Sequence, residues 1–343
     1  MKNTLYILII SFLVIAFISC RNKNNKPLPK IDKKEVNNIK EKLNINIFRY
    51  EQALFSMNQT NMPDELNKLK SDYAFFLGDN PSTPENMKQL KSFLNYNVHQ
   101  DLYKAVKKQY PDLSFLEDDF SNALSLIKYH FPDTKIPKIY TAILGLNYDM
   151  PIIYEDSVLV IALDMYLGSD YYYYKKLGPQ VPQFIIRRFS KEYILSDCMK
   201  TMSYKYMQFN RNTNSLLEEM IIEGKRWMFA EIALPELSDT IISGYTLKKL
   251  QWAQENESDI WTFLIEKNYL YSSDNKLLIK FVYDAPFTAY FGNNSPGQIG
   301  AWIGWQICRS WVKNNPDTKI TDLMNEKDAQ KILKESKYKP RKK

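Results

Sequence analysis

Histidine is nearly absent from this sequence. Its 343 residues include only His99 and His130, so none follows residue 130. Histidine is the commonest metal ligand and the usual acid or base near neutral pH. Histidine-based catalysis and zinc bound by histidine are therefore excluded after residue 130. We expect the protein to have no metal and no cofactor.

Cysteine is also scarce, with three residues, Cys20, Cys198 and Cys308. Cys20 is assigned below to a lipid anchor. The other two lie in apolar helical patterns, and we expect them to be buried free thiols. A bridge between them stays open as the alternative, because an export compartment permits disulfides and spacing does not give connectivity.

The apolar run at the N-terminus, residues 5–18, is too short for a membrane span, which needs about 20 residues. It follows a short charged start and ends at Ser19-Cys20. A small residue directly before a cysteine is typical of a bacterial lipoprotein cleavage site. We therefore predict that residues 1–19 are a removable signal and that acylated Cys20 anchors the chain in a lipid bilayer. An ordinary secretory signal with a chance cysteine is the alternative.

Basic residues exceed acidic residues only slightly in this sequence. The formal net charge is +7 and becomes +6 when residues 1–19 and with them Lys2 are removed. Much of the excess lies at the two ends, in residues 21–34 and 337–343. These ends are either solvated tails or contacts for anionic lipid or a partner. No basic patch is interleaved with aromatic residues, so we expect no nucleic-acid partner.

The apolar patterns predict a mostly helical α+β fold, with a small sheet packed by long helices. Residues 20–44 are expected to be a lipidated basic tether and residues 45–343 a single domain. A helical lobe extends to about residue 135, followed by strands and long helices. Four consecutive tyrosines, 171–174, are predicted to pack on the domain, with stacking on a sugar or peptide as the alternative. The main predicted strands are 45–50, 136–144, 151–154 and 158–163, and the main predicted helices are 62–77, 84–108, 112–129, 182–208, 215–230, 246–256, 259–267, 296–311 and 320–334.

Several stretches of the second half are specific enough to indicate a family. They are LLEEMIIEGK (216–225), NESDIW (256–261), LYSSD (270–274), APFT (285–288), SPGQIGAWIGWQI (295–307) and SKYKP (336–340). Together with the lipoprotein signal, they resemble the gliding motility lipoprotein GldB family of Bacteroidetes over nearly the whole chain. The resemblance implies a role in the cell envelope beside other gliding proteins and the type IX secretion system, and it implies no particular reaction. Arg21 after the lipidated cysteine is no evident inner-membrane retention signal, which favours the periplasmic face of the outer membrane.

The order of elements also resembles, more distantly, a zinc metallopeptidase that has lost its metal. Such enzymes place His-Glu-x-x-His on a long helix and a further Glu on the next. Here Ser196 and Lys200 stand where the histidines would be, Asp197 where the base would be, and Glu223 at the third-ligand position. Lys200 would put a cation where the metal belongs and would pair with Asp197 or Glu223. The alternative is that all four are ordinary polar positions on amphipathic helices.

The glycines Gly297, Gly300 and Gly304 are predicted to allow close helix packing, because no Lys-Ser/Thr follows them to make a phosphate loop.

Three functions follow from these patterns. The first is a noncatalytic envelope lipoprotein that binds other gliding or secretion proteins. The second is an envelope hydrolase using carboxylates such as Asp197 and Glu223, which requires both side chains in one open cleft. The third is a lipid or glycan carrier that uses the tyrosines at 171–174.

Overall fold

A computed structural model describes residues 26–177, 181–209 and 215–340 of the chain. The predicted signal, Cys20 and the last three basic residues lie outside these ranges. The elements confirm a mostly helical α+β fold. The helices are α1 Lys33–Glu41, α2 Tyr50–Phe55, α3 Met62–Leu77, α4 Pro84–Asn95, α5 Asn97–Gln109, α6 Ser114–His130, α7 Tyr172–Lys176, α8 Gln183–Ile186, α9 Ile194–Met202, α10 Leu216–Ala233, α11 Asp239–Ser243, α12 Leu247–Glu255, α13 Glu257–Glu266, α14 Asn275–Phe281, α15 Ile299–Asn314, α16 Ile320–Asn325 and α17 Ala329–Ser336.

Four strands form one mixed sheet in the order β1–β2–β4–β3. Strand β2 pairs in parallel with β1 and β4, whereas β3 pairs antiparallel with β4. Asp156 and Ser157 both have positive φ and make the tight turn between β3 and β4. The predicted strands are confirmed, three of them with shorter bounds and β3 with the same length but shifted by one residue. These are β1 Ile47–Arg49, β2 Lys138–Ala142, β3 Ile152–Glu155 and β4 Val158–Ala162.

Helices α10 and α15 cross at the centre of the main core. Gly304 of α15 lies against the backbone of Met220, where an added Cβ would overlap the carbonyl group. Gly224 of α10 lies against Gly304 in the same way. Trp302 and Trp305 are buried beside this crossing. Gly300 lies in the same way against the carbonyl of Phe281. The prediction of close helix packing is confirmed for Gly300 and Gly304, whereas Gly297 precedes the helix and lies against Ala285 of a loop.

Three predicted helices are broken in the structure. The 84–108 helix divides at Tyr96, which is extended (φ −71°, ψ 122°), and the 320–334 helix divides at Glu326, which is extended as well. The long 182–208 helix is wrong: Ser190 is extended and forms a β-bridge with Leu167, leaving only short helical pieces on either side. The pieces of the 182–208 and 320–334 segments pack on the main core, whereas Leu94 of α4 is buried in a second, smaller core and Leu102 of α5 in the main one. The apolar spacing alone does not show such a break.

Helix α1 lies within the segment predicted to be a tether. The side chain of Asp32 accepts hydrogen bonds from the amides of Lys34 and Glu35 and so caps the helix, while Val36 is buried. Helix α1 packs on α6, and Leu28 contacts the main core. The folded part of the chain therefore begins earlier than the expected tether boundary.

The two described cysteines and most of the tyrosine run, 171–174, pack within the domain. Cys198 and Cys308 are buried free thiols, as expected. Tyr174 is buried, and its hydroxyl donates to the carbonyl of Asp164 at 2.6 Å. Tyr172 is the strongly exposed member, at 59% of its surface, with the Lys176 ammonium over its ring. The run is largely part of the packed domain.

Candidate functional site: a charged cleft

A cleft of about 450 Å³ opens beside α9. Two of the four predicted site residues, Asp197 and Lys200, line it. Ser196 is fully buried and Glu223 points to a different partner, so neither belongs to its lining. We call this site the charged cleft. Its charged lining residues are Asp149, Arg188, Asp197, Lys200, Arg226 and Asp284, and its polar uncharged ones are Tyr148, Tyr166 and Thr201.

Asp197 is held by two neighbours in the wall of the cleft. The Tyr166 hydroxyl donates to its Oδ2 at 3.1 Å, and the Lys200 Nζ lies 3.9 Å from its Oδ1. Burial raises the pKa of Asp197, while the nearby cations of Lys200 and Arg188 oppose that rise. Burial also lowers the pKa of Lys200 to about 8, and Asp197 opposes that shift. The two groups therefore stabilise each other's charged forms in a poorly solvated wall.

Glu223 pairs with Arg226, three residues further along α10. The Arg226 Nη1 donates to both carboxylate oxygens, at 2.7 and 2.8 Å. The guanidinium also stacks on the ring of Tyr204, 4.7 Å from its centroid. The predicted contact between Lys200 and Glu223 is wrong. Glu223 pairs with Arg226 of its own helix, and Lys200 lies beside Asp197.

Cations and carboxylates alternate around the cleft. Arg188 donates to Asp284 Oδ2 at 2.7 Å, in addition to the Lys200–Asp197 and Arg226–Glu223 pairs. Sequence reasoning missed Arg188, Arg226 and Asp284, because they come from separate segments that only the folded chain brings together. No local motif marks such a set.

Most of the acidic side chains in and beside the cleft are paired with basic side chains and are not arranged to bind a metal ion. Within residues 26–177, 181–209 and 215–340, no group of three or more His, Cys, Asp or Glu side chains is arranged to hold a metal ion. The ammonium of Lys200 stands beside Asp197, where it repels a second cation. Glu223, the predicted third ligand, is already held by Arg226.

This pairing gives a direct stability prediction. Glu223→Gln and Arg226→Met should couple in a double-mutant cycle by about 1 kcal/mol, because each removes the other's partner in a partly buried pair. Glu223→Gln and Lys200→Met should instead be additive within about 0.5 kcal/mol. Urea unfolding of the single and double variants measures both terms. Strong coupling of Glu223 to Lys200 would restore the metallopeptidase-like placement.

Comparison with known families identifies the chain. The profile of the family described as gliding motility protein GldB, a lipoprotein family, matches residues 30–340. Comparison with curated proteins and with solved structures gave no significant match. Among the helices of the described ranges, we find none with the length and apolar character to cross a bilayer. The metallopeptidase-like resemblance stays a prediction. The match over nearly the whole chain establishes that this protein belongs to the gliding motility protein GldB family.

Proposed function

We propose that this chain is a cell-envelope lipoprotein that supports gliding motility and type IX protein secretion by contacting other envelope proteins, without catalysing a reaction. Family membership supports the part in motility. Acylated Cys20 is the proposed anchor, and the periplasmic face of the outer membrane is the proposed location. The charged cleft is the proposed contact site.

The rim of the charged cleft carries this proposal. Tyr204, Tyr283 and Met150 are 47%, 53% and 55% exposed. Tyr204 packs on Arg226, Tyr283 precedes Asp284, and Met150 lies between two lining residues. Tyrosine, methionine and arginine are enriched where proteins bind one another, and exposed aromatic side chains act as anchors there. A polar cleft with such a rim suits a protein partner.

The charge pairing supports a noncatalytic role. A carboxylate-based hydrolase would need Asp197 and Glu223 in the same open cleft, and Glu223 is instead paired with Arg226 and is not among the lining residues. Fixed pairs of opposite charge favour recognition of a complementary surface. A partner protein with complementary charges would bind these residues without any covalent bond being made or broken.

The test removes the aromatic rim and leaves the charges in place. The variant Tyr204→Ala/Tyr283→Ala should lose gliding and its crosslinked envelope partner, because it lacks the apolar anchors of the contact. Tyr96→Ala is the matched control, since Tyr96 is 56% exposed and lies between α4 and α5. Gliding is measured on agar, the partner by crosslinking and purification, and folding by melting temperature and cellular abundance. Normal gliding by a stable double variant would exclude the rim as the contact site.

A further inference from the structure

Both ends of the described chain meet at a second cleft, of about 1040 Å³. Lys26 and Pro340 both line it, together with Lys313 of α15, Lys337 and Lys339. We call this site the tether cleft. The first and last described residues of the chain therefore lie on one face of the domain.

The point where the chain enters this face is fixed. The Lys26 Nζ donates to the carbonyls of Leu237 and Pro235, at 2.5 and 3.3 Å, and lies 3.4 Å from Asp239 Oδ1. Its side chain is only 11% exposed. Asp239 is held in turn by Arg309. The start of the folded chain thus has a defined position on the domain surface.

The proposed lipid anchor is only six residues before Lys26. Even fully extended, six residues reach at most about 20 Å. A compact domain of this length has a radius of gyration of about 20 Å and so measures about 50 Å across. The anchor is therefore too short for the far side of the domain to reach the bilayer, and the tether cleft stays on the membrane side.

The charge of this face complements an anionic membrane. Lys30, Lys313, Lys337 and Lys339 are exposed around the tether cleft and its edge. The sequence continues past Pro340 with three more basic residues. Asp239 is paired with the cations of Lys26 and Arg309, whereas Glu257 accepts from the neutral Tyr338 hydroxyl, at 2.8 Å, and still counts as an acidic group of the cleft. The cleft is lined by five basic side chains (Lys26, Arg309, Lys313, Lys337 and Lys339) and four acidic ones (Asp239, Glu255, Glu257 and Asp259), and Lys30 at its edge raises the excess of positive charge to two.

We infer that the tether cleft and its lysines dock onto anionic phospholipid headgroups and so fix the orientation of the domain on the membrane. The inference rests on the proposed anchor at Cys20. The anchor holds the face within reach of the bilayer, and lysine side chains near an anionic surface are attracted over about one Debye length, roughly 8 Å in physiological salt.

The test measures how near this face comes to the lipid. The mature lipidated protein is reconstituted in vesicles of phosphatidylcholine, or of phosphatidylcholine with phosphatidylglycerol, that carry a headgroup nitroxide quencher. A dye is placed on Gln254→Cys, an exposed position of the tether cleft, or on Gln89→Cys, an exposed position of α4. Labelling is selective because Cys198 and Cys308 are buried. The dye on Gln254→Cys should be quenched about twofold more on the anionic vesicles, in keeping with attraction of basic groups to that surface, and the dye on Gln89→Cys equally on both.

Charge reversal provides the matched comparison. Lys313→Glu/Lys337→Glu/Lys339→Glu should abolish the difference between the lipids, as should 1 M NaCl. The same change of net charge made at Lys88, Lys91 and Lys107, which are exposed on α4 and α5, should preserve it. Equal loss in both triple variants would overturn the inference.

The outcomes separate this inference from the proposed anchor. A protein that does not float with vesicles of either composition lacks the anchor, and the inference fails with it. A protein that floats but is quenched equally on both lipids keeps the anchor and overturns the docking. In that case the basic face is free for an acidic protein surface.

Discussion

Gly304→Ala is expected to destabilise the domain by about 3 kcal/mol or more. In an ordinary helix the same change stabilises, by about 1 kcal/mol, because alanine is the better helix former. Here the new methyl group would overlap the carbonyl of Met220 at the crossing of α10 and α15, so the helices must separate. Overpacking of a rigid core typically costs about 1–3 kcal/mol, and a clash with backbone lies at the upper end or beyond.

Urea unfolding measures the change in the free energy of unfolding. The sign of that change already distinguishes a clash at the helix crossing from an ordinary helical position. Lys313→Ala is the control, because Lys313 is exposed on the same helix and should change stability little. A stabilised Gly304→Ala protein would mean that α10 and α15 do not cross at this residue.

Arg309→Met is expected to lower the free energy of unfolding by about 3–5 kcal/mol, as is typical when a buried ion pair loses one partner. Arg309 Nη2 lies 2.6 Å from Glu231 Oε1, and its Nη1 lies 2.9 Å from Asp239 Oδ2. Glu231 is fully buried and also accepts from Trp305 Nε1 at 2.7 Å. Without Arg309 the Glu231 carboxylate keeps only the indole as a side-chain donor among its described contacts.

Two comparisons test the cause. Arg188→Met breaks a more exposed pair with Asp284 and should cost about 1 kcal/mol or less. Adding Glu231→Gln to Arg309→Met should cost less than the sum of the single changes, because the buried charge is gone. A loss below about 1 kcal/mol for Arg309→Met would contradict the importance of this buried pair.

Local signals account for the parts of the fold that were predicted well. Ser215 followed by Glu218 is a capping box, and α10 begins directly after Ser215. The apolar run after Ser157 is a buried strand, and the glycines of α15 serve the predicted packing. In each case the neighbours in sequence carry the information, because the contact is local or the steric requirement allows one residue type.

Non-local contacts account for the parts that were missed. Nothing in the spacing around Ser190 indicates that it leaves the helix to pair with Leu167. The same holds for the site: Asp197 and Lys200 share a helix and were found, whereas Arg188, Arg226 and Asp284 join them only through tertiary packing. Glu223 differs from its predicted pairing because Arg226, three residues along the same helix, is the nearer cation.

The fixed position of Lys26 has a mechanical consequence for a protein anchored through its N-terminus. Tension on the acyl chains would enter the domain at Lys26 and pass through Asp239 and Arg309 to Glu231 and Trp305 in the core. Lys26 itself contacts two backbone carbonyls and Asp239 in parallel, so three contacts share the load at the first link before helix α1 can peel away. If Cys20 anchors the chain as proposed, a pull on the lipid would have to break the contacts of the Lys26 side chain before helix α1 could detach.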